Sequence, residues 1–469
     1  MKPLKYGQLL ILFTVSLSAS AAPIFNLSPL DLTSDSCITK SREVTEKLKS
    51  LKSEDYQRLI SSNGHEKLLS ELWETKVLVH QKLRDFNREN SLKKSCADEV
   101  RLAFFEIRNS EDIIEDHQYR SKKDEVDFPD NPFGENNAHI KLHPEMKDFN
   151  FLKDLKSGDI ILSRGKAYTS AAISSLGEFD TQFSHLSIVY RDDQGKLWTV
   201  ESHIEVGAFV RPIEDHIKDK NFRSMIFRFD DEYLAYEAAK FIYYKVKNAS
   251  DSTGNIFYDF AFDQESSENL FCSEIASHAF EHVSMDQVKL PMFRSKLQSR
   301  KPRFVQKLGI KASESFIPSD IEIDPRFKMI AEWKNAPGIA DSLEKDAVLR
   351  AMYDWNEKYG YELVQGKGKA FLYRNVAWPL RRVPFLKKYF KEKLPINMSR
   401  ELIGYFGVLE SVGELLQKKL KIKEADAIVS RGMPLLNSEK YKVLDDFRLE
   451  DLSLRKTKFH KMYKPSLSK

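Results

Sequence analysis

The stretch "NLFCSEIASHAFE", residues 269–281, places one of the chain's three cysteines directly ahead of a helical pattern of apolar residues. Asn269 predicts the N-cap, and the apolar stripe that follows is Ile275, Ala276, Ala279, Phe280 and Val283. Cys272 is therefore expected at the N-terminal rim of the helix, where unpaired N–H groups and the helix dipole favour a thiolate. This placement is typical of a nucleophile, and the same N–H groups could stabilise an oxyanion. The alternative is a small buried hydrophobic residue.

The first 25 residues, "MKPLKYGQLLILFTVSLSASAAPIF", have the pattern of a secretory signal peptide. Two lysines precede a short apolar core, and "ASA" at 19–21 predicts a cleaved leader spanning residues 1–21. The core is too short to span a bilayer, and no later stretch is apolar enough to predict a transmembrane segment. We therefore expect an exported protein, periplasmic or secreted, of the bacterial envelope.

Export bears on the two remaining cysteines, Cys37 and Cys96, which flank the first helical stretches. Exposed thiols tend to pair in an oxidising compartment. A Cys37–Cys96 disulfide would close a loop of about 59 residues and stabilise the fold by about 4 kcal/mol on the chain-entropy estimate. Cys272 would then be the free thiol.

The chain after the leader divides into three segments. Residues 22–130 have mainly a helical apolar period and end near the proline-containing stretch "DFPDNPFGENN". Residues 145–325 contain short β-branched and aromatic runs separated by turn residues, which predict strands. Residues 326–469 are predicted to be mainly helical and basic. From Pro325 onward the chain has 30 Lys and Arg against 18 Asp and Glu, whereas the whole chain has a net charge of only +4.

A base for the thiol is predicted from the hairpin pattern "QFSHLSIVYRDDQGKLWTVESHIEVG", residues 182–207. Alternation places His185 on one face of its strand, and Glu201 and His203 on one face of the partner strand. With an even pairing register these faces coincide, and Glu201 lies opposite or diagonal to His185. A histidine held by a carboxylate is the arrangement of a Cys-His-acid triad. The alternative is an ordinary hairpin with polar residues on its exposed face.

Taken in order, "SGDIILSRG", "FSHLSIVY", "WTVES", "YDFAF" and "LFCSEIASHAF" resemble the YiiX/YaeF-like, circularly permuted members of the NlpC-type, papain-fold cysteine hydrolases. In that group the histidine strand precedes the cysteine helix, the reverse of the order in papain. The similarity covers about 150 to 327 and implies an α+β fold, with an antiparallel sheet packed on the nucleophile helix. One departure is Ser187, which stands where the family often has glycine.

The resemblance also implies roles for individual residues. Cys272 would be the nucleophile, His185 its base and Glu201 the third member of the triad, with His203 as the competing candidate. Tyr258 and Asp159 match family positions of less defined role. They are candidate lining residues, together with Ser273 and His203.

The expected activity is hydrolysis of an amide or ester through an acyl-enzyme, with no metal or organic cofactor. The resemblance implies two substrate classes, cell-wall peptides and fatty-acyl amides or esters, and export favours the peptides. A noncatalytic envelope-binding protein on the same fold, or a lipid-binding module, are the alternatives. Nucleic acid is not an expected partner, because an exported protein seldom meets it.

The basic surplus is concentrated in "RRVPFLKKYFKEK", residues 381–393, where six basic side chains alternate with aromatic ones. Such a segment can bind anionic envelope polymers or lipid surfaces. A solvated helix face is the alternative interpretation.

Overall fold

The computed structural model describes residues 36–89, 92–122, 140–219, 221–251, 255–262, 268–297, 302–364, 369–380, 383 and 398–466. The predicted leader, 1–21, and nearly all of the basic stretch 381–393 lie outside these described residues. Within the ranges given, none of the helices combines the length and apolar character needed to cross a membrane.

The N-terminal segment forms four helices, as its apolar period predicts. They are Cys37–Lys49 (α1), Ser53–Asn63 (α2), His65–Glu89 (α3) and Lys94–Lys122 (α4). A disulfide joins Cys37 to Cys96, with 5.7 Å between the two Cα atoms. The predicted pairing is therefore present, and it fixes the start of α1 to the start of α4.

A seven-stranded antiparallel sheet forms the centre of the molecule, in the order β1-β9-β6-β2-β3-β4-β5. Its strands are Ile140–Leu142 (β1), Ile160–Gly165 (β2), His185–Arg191 (β3), Leu197–His203 (β4), Gly207–Pro212 (β5), Asn221–Phe229 (β6) and Phe327–Lys334 (β9). Two small pairs complete the strands: Ser295–Lys296 (β7) with Glu314–Ser315 (β8), and Tyr361–Leu363 (β10) with Tyr463–Pro465 (β11).

The remaining helices follow in chain order. They are Phe151–Asp154 (α5), Tyr168–Ser174 (α6), Ile213–Ile217 (α7), Glu232–Asp251 (α8), Glu274–Val283 (α9), Pro302–Lys307 (α10), Ala336–Tyr359 (α11), Lys369–Leu372 (α12), Trp378–Leu380 (α13), Arg400–Arg431 (α14), Asn437–Leu454 (α15) and Lys458–Met462 (α16). Short 3₁₀ turns lie at Pro144–Met146 and Pro318–Ile323, and a π-helical turn at Tyr373–Ala377.

Both faces of the sheet are covered, which explains why its central strands are continuous apolar runs. In β2, Ile160 and Leu162 pack into a cluster with residues of α8 and α9, whereas Ile161 packs into a cluster on the opposite face. Alternation directs successive side chains to opposite faces, so a strand covered on both sides needs apolar residues throughout. The predicted α+β fold, with the cysteine helix against an antiparallel sheet, is confirmed.

Buried ion pairs join the N-terminal helices to the sheet. The Lys76 ammonium of α3 lies 2.8 Å from Glu111 of α4 and 2.6 Å from Glu332 of β9. Arg223 of β6 contacts Asp112 of α4 at 2.5 Å. All five side chains are buried, so each charge depends on its partner for stability. Helices α3 and α4 are therefore fixed on the sheet by charge, and α3 also by the apolar contacts of Trp73 and Val77.

Two expectations from the sequence differ from the structure. The boundary expected at 325 precedes β9, which lies between β1 and β6 in the sheet, so the helical C-terminal part begins only at Ala336. The sequence "FKMIAEWK" did not indicate this strand, because both its faces are buried and the alternation of a half-exposed strand is weak. Asn269 is not the N-cap: it bridges to Phe257, and the helix begins five residues later at Glu274.

Candidate active site

Cys272 lies in the turn before α9, two residues ahead of its first helical residue. The turn is closed by Glu274, whose carboxylate accepts a hydrogen bond from the backbone N–H of Phe271 at 2.8 Å. Only 2% of Cys272 is exposed. Burial raises the pKa of its thiol to about 11, although hydrogen bonds to the sulfur from the backbone at Leu186 and from Ser273 act in the opposite direction. The resting nucleophile is therefore a neutral thiol that needs a base.

The β3–β4 hairpin pairs in the even register expected from its alternation. Ile188 pairs with Val200, and Val189 with Thr199. Continuing this register places Glu201 diagonal to His185 on the same face of the sheet. The Nε2 atom of His185 lies 2.9 Å from Oε2 of Glu201. The residues proposed as base and acid are thus in direct contact.

This contact determines which nitrogen of His185 can act as the base. Burial lowers the pKa of His185 to about 4, against the opposing effect of the Glu201 hydrogen bond. The ring is therefore neutral at pH 7. A neutral imidazole that bonds a carboxylate through Nε2 carries its proton there, so Nδ1 has the free electron pair. His185 is arranged to accept a proton at Nδ1.

Glu201 is fully buried and accepts hydrogen bonds from several side chains besides His185. The donors are Thr199 Oγ1 at 2.6 Å, His203 Nε2 at 3.0 Å, His216 Nδ1 at 2.9 Å, and Arg211 through Nε at 2.8 Å and Nη2 at 2.9 Å. Burial alone would raise the pKa of Glu201, but interaction with His216 and hydrogen bonds from the three histidines hold it well below its ordinary value. The carboxylate stays ionised, with a fixed orientation.

Cys272, His185, His203 and Tyr258 line one cleft of about 720 Å³. Residues of the loop before α6 and of α6 itself line it as well, as do Arg211, Asp219 and Asn221. Burial, with a further contribution from Cys272, raises the pKa of Tyr258 well above its ordinary value, so its hydroxyl stays protonated beside the thiol. The nucleophile and the base thus share one substrate-accessible space, with the carboxylate buried behind the base.

Two of the proposed lining residues are placed differently. Ser273 is fully buried; its Oγ lies 4.0 Å from the Cys272 sulfur but does not line the cleft. Asp159 lines a separate cleft of about 1050 Å³, where its carboxylate accepts two hydrogen bonds of 2.8 Å from Arg228. A third hydrogen bond comes from the backbone N–H of Lys156. The structure therefore does not place Asp159 beside the thiol.

Arg211 and His216 are site residues that the sequence reading missed. Arg211 lies on β5, directly opposite Thr199, and His216 lies on α7 after that strand. Extending the hairpin register to β5 would have shown Arg211 on the Glu201 face. His216 offered no such signal, because its position depends on how α7 folds back over the sheet.

The side chains around Glu201 also bear on metal binding. Two sets of ligand-type atoms lie within 4.8 Å of one another: His185, Glu201 and His203, and Glu201, His216 and Asp219. The Arg211 guanidinium donates hydrogen bonds to Glu201 and Asp219 and lies beside the His216 ring. A divalent ion would be repelled by this guanidinium and would have to displace it. These carboxylates therefore fit an arginine-neutralised cluster better than a metal centre.

The chain order of these parts is that of a permuted papain-like enzyme, because the histidine strand comes before the cysteine helix. A family model described as permuted papain-like amidases, YaeF/YiiX, C92 family, matches residues 154–331. These residues form a permuted papain-like amidase domain. The matched range ends within β9, so it contains nearly the whole sheet and α9. Neither the curated proteins nor the solved structures gave a significant match.

The expected resemblance is confirmed, and with it the class of enzyme: the permuted papain-like amidase domain makes the protein a hydrolase of the amidase type. The N-terminal helices and the helices from Ala336 onward lie outside the matched range.

Proposed function

We propose that the protein is an exported cysteine amidase in which Cys272, His185 and Glu201 act as a catalytic triad on peptides of the cell wall. The observation that carries this proposal is the 2.9 Å contact between His185 and the buried Glu201, at a cleft that Cys272 also lines. The amidase description of the matched family supports the reaction type. Export, predicted from the leader pattern, supports the choice of cell-wall peptides.

The reaction begins with proton transfer from the Cys272 thiol to Nδ1 of His185. The sulfur attacks the carbonyl carbon of the amide, forming a C–S bond and a tetrahedral oxyanion. Cleavage of the C–N bond follows as the imidazolium of His185 gives its proton to the leaving amine. Water then attacks the thioester, His185 takes a proton from it, and the released sulfur regains a proton as the carboxylic acid leaves.

Glu201 stabilises the transient imidazolium and holds the ring in the tautomer that this sequence requires. The backbone at Leu186, Cys272 and Ser273 already hydrogen-bonds the sulfur. We propose that N–H groups of this turn also stabilise the tetrahedral oxyanion. Tyr258 is a neutral hydroxyl donor in the same cleft.

A second substrate class is favoured by one observation, the apolar part of the cleft lining. Ile173, Ile204, Val206 and Phe209 all line the cleft and could contact an acyl chain. Fatty-acyl amides or esters are therefore the alternative substrates. The noncatalytic binding protein is the third outcome, in which no covalent intermediate forms.

The test compares the purified mature protein with Cys272→Ala and His185→Ala on muropeptides and on coumarin amides of short peptides and of fatty acids. We expect each variant to lose at least about 1000-fold in kcat/KM while the melting temperature is retained. Mass spectrometry should find an acyl group on Cys272 of the wild-type protein. Turnover that survives Cys272→Ala would refute the mechanism, and turnover of the fatty-acyl amides alone would refute the substrate class.

We also propose that the basic stretch 381–393 attaches the enzyme to anionic envelope surfaces. The supporting observation is the concentration of positive charge in the sequence from Pro325 onward. Binding to vesicles containing anionic lipid, or to isolated cell walls, should weaken steeply between low and high salt. Equal binding after reversal of the charges of Lys387, Lys388 and Lys391 would contradict it.

A further inference from the structure

One wall of the catalytic cleft is a short piece of chain between β2 and the loop that leads to His185. We call residues 165–173 the α6 wall. Six of its residues line the cleft: Gly165, Lys166, Ala167, Thr169, Ser170 and Ile173. The wall also touches the strand of the base, because Ser170 Oγ lies 2.5 Å from Oγ of Ser184, the residue before His185. The wall therefore forms part of the surface that a substrate in the cleft can contact.

The opposite face of the α6 wall rests on helices from outside the matched family range. The Tyr168 hydroxyl donates a hydrogen bond to Oε1 of Gln417 on α14 at 3.0 Å. Gly413 lies under the same ring, where a Cβ atom would come within 2.6 Å of Tyr168. The Lys345 ammonium of α11 donates a hydrogen bond to the carbonyl of Lys166 at 2.6 Å. The wall is thus held at both its helix and its preceding loop.

The two residues that hold the wall are themselves fixed by acidic partners. The side-chain N–H groups of Gln417 donate to Asp341 at 2.8 Å and to Glu344 at 3.1 Å, which directs Oε1 towards Tyr168. Lys345 donates to Asp341 as well, at 2.6 Å. Gln417 is buried, so its alternative orientation would place its amide nitrogen against Tyr168 and its amide oxygen against the two carboxylates, which cannot donate to it. These contacts define one position for the wall.

We propose that α11 and α14 position the substrate-binding wall of the amidase domain, with Lys345 and Gln417 as positioning residues. This inference rests on the proposed function. It assigns the C-terminal helices a role in how substrate binds, separate from the reactivity of Cys272. Neither residue lines the cleft or contacts the triad: each acts through the wall, Lys345 through the Lys166 carbonyl and Gln417 through Tyr168.

We expect the loss of these contacts to weaken substrate binding and to leave the reactivity of Cys272 unchanged. Loss of a contact lets the wall shift, and a shift of about 1 Å in a binding surface is enough to misplace an extended substrate. The groups that orient His185 and Glu201 lie on β3, β4, β5 and α7, and Cys272 lies in the turn before α9, whereas Lys345 and Gln417 lie on α11 and α14, outside these elements. A small electrophile that needs no wall should therefore react with Cys272 at an unchanged rate.

The first experiment uses Lys345→Met in the full-length mature protein, with Lys345→Arg as the rescue variant and Lys418→Leu, exposed on α14, as the control. Substrate is the coumarin amide that wild-type protein cleaves best, and the small electrophile is iodoacetamide. We expect KM to rise about tenfold in Lys345→Met with kcat within about threefold and alkylation of Cys272 within about twofold. Lys345→Arg should return KM close to the wild-type value, and Lys418→Leu should have the KM, kcat and alkylation rate of wild type.

The second experiment tests the Tyr168–Gln417 bond by a double-mutant cycle of Tyr168→Phe and Gln417→Leu. Tyr168→Phe removes only the hydroxyl and so keeps the ring against Gly413. We expect each single change to raise KM and the pair to raise it by less than the product of the two factors, because both remove one shared bond.

An unchanged KM in folded Lys345→Met and Tyr168→Phe would overturn the inference. So would a fall in the alkylation rate that matches the fall in kcat/KM, because the residues would then act on the thiol or on the fold as a whole. Failure of the proposed function looks different: wild-type protein itself would show no turnover that depends on Cys272.

Discussion

Two buried carboxylates, Glu201 on β4 and Asp159 directly before β2, show opposite behaviour. Glu201 lies at the catalytic cleft among histidines, a threonine and an arginine, and its pKa is held well below the ordinary value. Asp159 lies at the other cleft with Arg228 and a backbone N–H, and burial raises its pKa in spite of them. Burial alone therefore does not identify a functional carboxylate. The two carboxylates differ in their partners. Glu201 accepts hydrogen bonds from the imidazoles of His185 and His203, which line the cleft of the nucleophile, whereas Asp159 accepts hydrogen bonds from the guanidinium of Arg228 on β6.

The largest effect on the reaction rate is expected from neutralising Glu201. Glu201→Gln keeps the shape but removes the charge that stabilises the imidazolium, so we expect acylation to slow by roughly 10- to 1000-fold. Single-turnover kinetics on the coumarin amide measure this step directly. The loss should remain below that of Cys272→Ala. An acylation rate within threefold of wild type would remove Glu201 from the triad.

The matched change at the second carboxylate should affect stability instead. Asp159→Asn removes the charge that pairs with the partly exposed Arg228 guanidinium, and we expect the free energy of unfolding to fall by about 2 kcal/mol. The kcat of the folded variant should equal that of wild type. Urea unfolding and steady-state kinetics provide the two measurements. A lowered kcat at full stability would show that Asp159 belongs to the reaction after all.

The pH dependence of kcat/KM tests the protonation state of His185, the base that contacts Glu201. The pKa of His185 is lowered to about 4, so the base is neutral above that pH and protonated below it. We expect kcat/KM to fall about tenfold per pH unit below about pH 4 and to stay level above it until the thiol ionises near pH 11. A folding control by circular dichroism separates catalysis from acid unfolding. An acid limb at pH 6 to 7 would show that the pKa of His185 is not lowered, and a fall in kcat/KM at pH 8 to 9 would indicate a thiolate–imidazolium pair in the resting enzyme.

The smallest effect is expected from His203→Gln. His203 shares Oε2 of Glu201 with His185, but the carboxylate keeps its contacts to Thr199, Arg211 and His216 when His203 is replaced. We therefore expect kcat to change by less than about threefold. Glutamine can still donate a hydrogen bond to Glu201, which keeps the site assembled. If His203→Gln proves more damaging than Glu201→Gln in folded protein, the third member of the triad is His203.

The sequence was informative where local rules determine position. Alternation along two adjacent strands was enough to place Glu201 beside His185, because a hairpin leaves few possible registers. Cysteine count and the predicted export were enough to pair Cys37 with Cys96. The order of motifs predicted the α+β domain and the cleft shared by Cys272 and His185.

The remaining features depend on contacts between distant parts of the chain. His216 reaches Glu201 only because α7 folds back over the sheet, and Arg211 only because β5 continues it. Lys345 and Gln417 approach the cleft wall across about 180 and 250 residues of sequence. Asp159 matched a family position, but nothing in "SGDIILSR" shows which end of the sheet it occupies. No local pattern contains this information.

The pairing of β1 with β9 has a consequence for how the chain acquires its structure. Ile140 pairs with Trp333, so this edge of the sheet cannot form until nearly all of the amidase domain has emerged. The same holds for Lys76, whose partner Glu332 is 256 residues further along. A partly folded intermediate without β9 would leave that ammonium without one of its two counterions in an apolar setting, at a cost of several kcal/mol. Such intermediates should be sparsely populated. The N-terminal helices and the sheet are then expected to fold late and together.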